Sequence, residues 1–420
     1  MIFWKGGTHL KRFLPNKLSL RHPSKEQITL EKPQNDYYEN VSAALGITQV
    51  ILYLSLLAFV VLSFLSNTNL ITYQNFYYFL KDLNASAETV DVFYTDSINY
   101  PMDEEQSFSL YRKGLAVAGN RNVTVFTATG RQTISQTIQY QNPVSVGSGR
   151  YLLVYELGGK QYSVYNSYAR VFSGTSEYPI RGAAVSDSGM YALITSSSDY
   201  VSVVSLYNDR FSLINRYNKK DYVTDVAINS NGSLIGILTS SAQNGTFSTE
   251  VMICEPGSTQ ARAQVKIGTA LGLKCSFSTD TTLAVLSGED ITFLSQNGKM
   301  LATRSFDGMP IICADIGTEG VCVCLKNAGS IAEDVAWIFD VNGKLLRQFA
   351  LPDRVSQVAK CGNLVYLMTA DGIRCLDTKG NRDFLISCVT EKKVLLAVSE
   401  KEVLLCSPQK ADYIRTEESS

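Results

Sequence analysis

Histidine is almost absent from this 420-residue chain: there are two, His9 and His22, and both precede residue 40. Everything after them lacks an imidazole, which excludes a Ser-His-Asp or Cys-His triad there and any His-ligated zinc or copper centre. Cysteine is missing before residue 254. The nine that follow (Cys254, Cys275, Cys313, Cys322, Cys324, Cys361, Cys375, Cys388, Cys406) are odd in number, and their spacings do not repeat as a disulfide framework would. Most sit in apolar strand-like runs, where a free thiol behaves as a small hydrophobe. Cys322-Val-Cys324 sets two thiols on one face of a strand, but a tetrahedral thiolate site needs a second such pair and the sequence has none. If Gly317 and Gly320 flank a two-residue turn, Cys313 lies opposite Cys324 in a hydrogen-bonded pair, with Cα atoms about 5.5 Å apart, a poor setting for a bridge. A basic excess is missing too. Seven of the 38 basic and four of the 39 acidic residues fall in 1–40, which leaves the rest of the chain at about −4, and nucleic acid is not an expected partner.

Charge is absent from Leu45 to Leu65. These 21 residues would make a helix roughly 30 Å long, the thickness of a hydrocarbon core. The run starts past residue 40 and ends in Ser66-Asn67-Thr68 without a small-residue cleavage site, so it reads as an uncleaved signal anchor in contact with the lipid bilayer. Seven Lys/Arg precede it, whereas Lys81 alone lies between it and Arg112, which predicts a cytoplasmic tail and an extracytoplasmic main domain. The expected organisation is a flexible basic tail over 1–40, a transmembrane helix over 41–66, an aromatic juxtamembrane linker over 67–88, a β-propeller over 89–410 and a polar tail over 411–420. In the linker Tyr73, Phe76, Tyr77 and Leu80 share one helical face, suited to the headgroup layer or to a first blade.

The propeller is read from a recurring turn. Turns centred on Gly114, Gly149, Gly189, Gly232, Asp280/Thr281, Gly320, Gly362 and Lys392/Lys393 return every 30 to 50 residues or so, each between short β-rich runs. The stretch from Ile180 to Asn215 shows one module in full: four strands in about 40 residues, which make a blade. Asn297-Gly298 and Asn342-Gly343 separate later apolar runs, and Asn-Gly predicts type I′ hairpins with positive φ at both residues. The last module offers three strands, around Phe384–Cys388, Val394–Ser399 and Val403–Ser407. Thr89–Tyr94 would supply its fourth, giving an all-β propeller of eight blades; seven follow if that strand belongs to the linker.

No catalytic, cofactor or metal residue is assigned, and no ligand-binding residue is singled out. Asp340-Val-Asn-Gly and Asp377-Thr-Lys-Gly resemble calcium-loop fragments but stop short of the full pattern, so hairpin turns account for them. Asn84, Asn122, Asn231 and Asn244 head N-x-Ser/Thr sequons. The basic tail, single span, aromatic linker and blades marked by Ser-Asp-Ser-Gly189 and Asn-Gly turns resemble an uncharacterised domain-of-unknown-function family of membrane-anchored propellers from Gram-positive, clostridia-like bacteria. That resemblance implies a fold and a cell-surface location and carries over no functional residue. Quinoprotein-like propellers share the architecture, but Trp337 is the one tryptophan beyond the anchor, so their Trp-ended repeat is absent and no cofactor is expected. The expected function is a non-enzymatic module that holds an envelope protein. The alternatives are a sensor for a glycan or peptide and a carboxylate-based hydrolase or lyase, which two close channel acids in unlike environments would mark.

Overall fold

The computed structural model describes residues 45–55, 57–58, 97–167, 169–258, 260–327, 333–380, 382–388 and 394–415. The chain divides into two units, Met1–Leu80 and Lys81–Ser420. In the first, residues 45–55 are helical, and Leu45, Ile47, Val50, Ile51, Leu52 and Leu54 are all exposed. The Ser55 hydroxyl donates to the Leu52 carbonyl at 2.8 Å, so the polar group on this apolar helix is satisfied locally. Among the described residues no helix is long and apolar enough to cross a membrane. The remainder of the span expected over 41–66, the tail 1–40, the linker 67–88 and the strand Thr89–Tyr94 lie outside the described residues, residues 57–58 excepted.

The second unit is built of eight four-stranded antiparallel sheets, the blades of a propeller. Blade 1 runs over Gln106–Thr137, blade 2 over Pro143–Thr175, blade 3 over Gly182–Lys219 and blade 4 over Tyr222–Gly268. Blade 5 runs over Gly272–Ser305, blade 6 over Ile311–Leu351 and blade 7 over Val355–Ser387, and blade 8 joins Val394–Arg415 to Ser97–Asn99. The first strand of each blade contacts the first strand of the next, and that of blade 8 contacts that of blade 1. The ring is therefore closed, with the first strands around its channel.

Burial follows from that geometry. The second strands of blades 1, 3, 5, 6, 7 and 8 are buried at every position, because neighbouring blades cover both faces. Their sequences are accordingly unbroken apolar runs such as Leu-Ala-Val-Ala and Val-Cys-Val-Cys rather than alternations. The outermost strands alternate: in Leu345–Leu351 and Asp383–Ser387 every second residue is exposed or nearly so. Each fully buried Leu or Val contributes about 1.5–3 kcal/mol, and the second strands supply most of them.

The hairpins differ from expectation in one respect. At Asn297-Gly298 and Asn342-Gly343 only the glycine takes a positive φ (+77° and +88°). The loop is longer than two residues: Gly298 N–H donates to the Ser295 carbonyl at 2.8 Å, Ser295 N–H to the Lys299 carbonyl at 2.9 Å, and the strand register shifts beside it. This is a type I turn with a following bulge, which needs one left-handed residue where the type I′ turn needs two. Two-residue turns with both residues left-handed occur at Asn244-Gly245 (φ +51° and +78°), closed by Gln243 opposite Thr246, and at Arg112-Lys113 (φ +52° and +62°), closed by Tyr111 opposite Gly114.

Blade 8 is assembled differently from the sequence reading. Asp383–Ser387, expected in the last module, is the outermost strand of blade 7, paired with Gly372–Asp377 through the tight turn at Gly380. Lys410–Arg415, of which residues 411 to 415 were expected in a polar tail, is a strand of blade 8, since Ala411 and Tyr413 alternate inward into the core. Ser97–Asn99 pairs with it, Ser97 opposite Asp412, and completes the sheet. The first hairpin of blade 8 accordingly turns at Glu400-Lys401; Lys392/Lys393 lie outside the described residues.

Candidate functional site

The first hairpins of blades 1 to 6 gather at one end of the channel and line a mouth of about 800 Å³. Leu110, Val185, Ile228 and Phe277 give it an apolar floor, and Arg112, Lys113 and Arg150 stand on its rim. Left-handed backbone costs an L-residue roughly 1–2 kcal/mol, and here two adjacent cationic residues adopt it with neither Gly nor Asn to relieve it. The turn is held from outside. The Tyr111 hydroxyl donates to the Arg150 carbonyl at 2.7 Å and Arg112 Nε to the Gly149 carbonyl at 3.3 Å, both across to blade 2. Gly114 continues the strand with no room for a side chain, since a Cβ there would meet the Phe126 carbonyl oxygen.

The acids around the mouth are committed to neighbouring blades. Asp187 accepts from Gly149 N–H of blade 2 and, at 2.7 Å, from the Ser230 hydroxyl of blade 4. Glu319 accepts from Gly362 N–H at 3.1 Å and Glu400 from Asn363 N–H at 2.6 Å. Deeper in the channel, inner-strand side chains take backbone N–H groups of the next blade. Asp225 accepts from Cys275 at 2.9 Å, Asp315 from Lys360 at 2.8 Å, Gln357 from Leu395 at 2.9 Å and Ser107 from Ser145 at 3.0 Å. Burial pushes the carboxyls of Asp225 and Asp315 up from the usual carboxylate range; the backbone N–H groups they accept from and the Lys274 ammonium oppose that rise in both. The Lys360 amine is lowered by burial while it donates to the Glu319 carbonyl and, at 2.8 Å, to that of Gly362.

An acid and base pair shows itself as two groups whose environments push their pKa values apart. Asp225 and Asp315 have like environments, shift the same way and accept from the same kind of donor, so they act as struts between blades. The sequence displays both, in Val-Thr-Asp-Val and Cys-Ala-Asp-Ile, and an acid inside an apolar inner strand was the signal available for them. Asp340 accepts from the N–H groups of Asn342 and Lys344, and Asp377 from that of Lys379, which makes both hairpin turns. Cys313 stands opposite Cys324, and Gly317 opposite Gly320, in the anticipated register; the thiols are free. Burial pushes Cys254 up to about 11 and Cys375 to about 12, away from a reactive thiolate. Among the described residues no three His, Cys, Asp or Glu side chains are placed to hold a metal ion. Asn231 and Asn244 lie in exposed turns, Asn122 begins a strand, and Asn84 is outside the described residues.

Residues 90–416, which include every described strand of the ring, match the model of a family described as "Family of unknown function (DUF5711)". The chain belongs to this family. No curated protein matches it. Among solved structures, that of a eukaryotic initiation factor is 13% identical, with a TM-score of 0.52 over 77% of this chain and 85% of that one. Sqt1 of Chaetomium thermophilum, bound to the N-terminus of ribosomal protein L10, is 13% identical with a TM-score of 0.49 over 77% and 98%. BamB of Moraxella catarrhalis is 12% identical with a TM-score of 0.48 over 77% and 99%. At such identities, likeness to the initiation factor shows a shared fold and nothing of what this family member does.

Proposed function

We propose that this chain is a membrane-anchored propeller which displays its channel mouth outside the cytoplasmic membrane and there holds an acidic segment of an envelope protein, without catalysing a reaction. The observation that carries this reading is the Arg112-Lys113 turn. Strained backbone clusters at functional sites, and here it sets two cations on an open mouth whose one lining carboxylate, Asp187, accepts from Gly149 N–H and the Ser230 hydroxyl. Loops from several blades converge there on one surface, an arrangement suited to a macromolecular partner. The anchor reading rests on the charge-free run from Leu45 to Leu65, on the helical residues 45–55 with their exposed apolar side chains, and on the basic residues before them.

The test is crosslinking in intact cells followed by capture through a C-terminal tag. An envelope protein captured by the wild type and lost from a folded Arg112→Asn/Lys113→Gly double variant is the expected result. Equal capture by that variant, or none above a control carrying residues 1–88 alone, overturns the reading. Location is tested separately: protease added to cells stripped of their wall should digest the propeller and spare an epitope within residues 1–40.

A further inference from the structure

A second cavity, of about 270 Å³, opens between blades 2 and 3 and shares no lining residue with the mouth. Its floor is the face of blade 3 that packs on blade 2, where Leu193, Ser205 and Arg216 stand side by side on three adjacent strands, with Thr195, Val203 and Asn218 in the next row. The hairpin Ser196–Tyr200 caps one side, and Ser176, Glu177 and Tyr178 form the opposite wall.

In blades 2 and 5 a hydrogen-bonded pair of hydroxyls occupies the same place. In blade 2 the corresponding row is Val154, Ser163, Ser173, and the two hydroxyls lie 3.5 Å apart, with Ser163 also 2.9 Å from the Tyr140 hydroxyl. In blade 5 it is Val285, Thr292, Thr303, with the hydroxyls 3.2 Å apart. Blade 3 keeps the central hydroxyl and replaces its partner by arginine. Ser205 is 7% exposed, yet its hydroxyl makes no hydrogen bond among the described residues, and neither do the Arg216 guanidinium and the Asn218 amide. The Ser205 hydroxyl borders the cavity and Arg216 and Asn218 are exposed, so water reaches all three, and the row that a hydroxyl pair closes in blades 2 and 5 is open here to a ligand.

We infer that this cavity binds a small sugar acid. An unpaired guanidinium recognises a carboxylate through two parallel hydrogen bonds. Ser205, Asn218 and the hydroxyls of the Ser196–Tyr200 hairpin suit ring hydroxyl groups, and the two carboxylates of the lining, Glu177 and Asp199, accept from them. Half-buried Tyr178, Tyr200 and Tyr207 provide the apolar surface that the C–H face of a sugar needs. The volume lies just below the roughly 300 Å³ at which drug-sized sites begin, which sets the size at a single ring. This inference does not depend on the mouth or on the anchor.

The test uses the full chain in detergent micelles, titrated with D-glucuronate, D-glucose and L-glutamate and followed by saturation-transfer NMR. Saturable binding of D-glucuronate is expected at millimolar concentration or below, with D-glucose and L-glutamate each at least tenfold weaker. Arg216→Ala should weaken D-glucuronate at least tenfold and bring it level with D-glucose, and Ser205→Val should abolish binding of both sugars. Arg216→Lys, which keeps the charge, should restore part of the loss, which separates recognition from a folding defect. No saturable binding of D-glucuronate, equal binding of L-glutamate, or binding unmoved by Arg216→Ala overturns the assignment.

Discussion

Asp225 and Asp315 each trade a desolvated carboxyl for one hydrogen bond between neighbouring inner strands. Because burial raises their carboxyl pKa in the folded protein, folding favours their protonated form, and the penalty of ionising them grows as pH rises from the unfolded carboxylate value, about 3.9, through the raised folded value. Asn accepts the same N–H and never ionises. Asp225→Asn should therefore gain stability relative to wild type between pH 4 and pH 7, whereas Asp225→Ala should be less stable throughout by about 1–3 kcal/mol, since it orphans the Cys275 N–H. Urea denaturation at several pH values checks both. The Arg112-Lys113 turn has the opposite character: its strain is intrinsic to the folded backbone. Arg112→Asn/Lys113→Gly should raise stability by about 1–2 kcal/mol by the same measurement, which makes loss of a partner in that variant a specific effect.

At the scale of strands, the ring sorts them by cover. Second strands are enclosed between blades and outermost strands face solvent on alternate residues, so amide exchange should be slowest in Gly320–Leu325 and Leu364–Thr369 and fastest in Leu345–Leu351 and Asp383–Ser387. Equal protection across a blade, measured by mass spectrometry, would mean that the blade opens as one unit. The enclosed strands were legible because an unbroken apolar run beside a turn is a local signal, and the first seven turns fall where the sequence sets them. Lys410–Arg415 was not, because its inward Ala411 and Tyr413 are too few and too polar in company to announce a strand; pairing with Glu402–Cys406 on one side and with Ser97–Asn99, more than 300 residues earlier, on the other makes it one. Neither was the cavity at Ser205. Ser205 and Arg216 are ordinary residues in sequence, and only cross-strand register places a hydroxyl beside a guanidinium where blades 2 and 5 place two hydroxyls.

The whole molecule depends on how its ends meet. Three residue pairs join Ser97–Asn99 to Lys410–Arg415, few for a sheet that must hold a ring of eight blades shut. Tyr100 reinforces them. Its N–H donates to the Gln409 carbonyl at 3.0 Å, its hydroxyl to the Ser407 carbonyl at 2.6 Å, and its ring packs at 5.7 Å from Phe108 and 6.3 Å from Phe126 of blade 1. One side chain thus ties the first strand of the ring to its last blade and to the next. Truncating it to alanine should cost about 3–5 kcal/mol, the range for a buried aromatic, and should expose residues 97–105 to protease before the rest of the ring. Tyr100→Phe keeps the packing and loses one hydrogen bond, so about 1 kcal/mol is expected. Burial holds the Tyr100 hydroxyl protonated well above its usual range, so its contribution is complete below pH 10 and declines as pH rises past the unfolded value of about 10. The difference in stability between wild type and Tyr100→Phe should be constant from pH 6 to pH 9 and shrink above pH 10. If Tyr100→Ala unfolds no earlier than Tyr100→Phe, the strand pairing alone closes the ring.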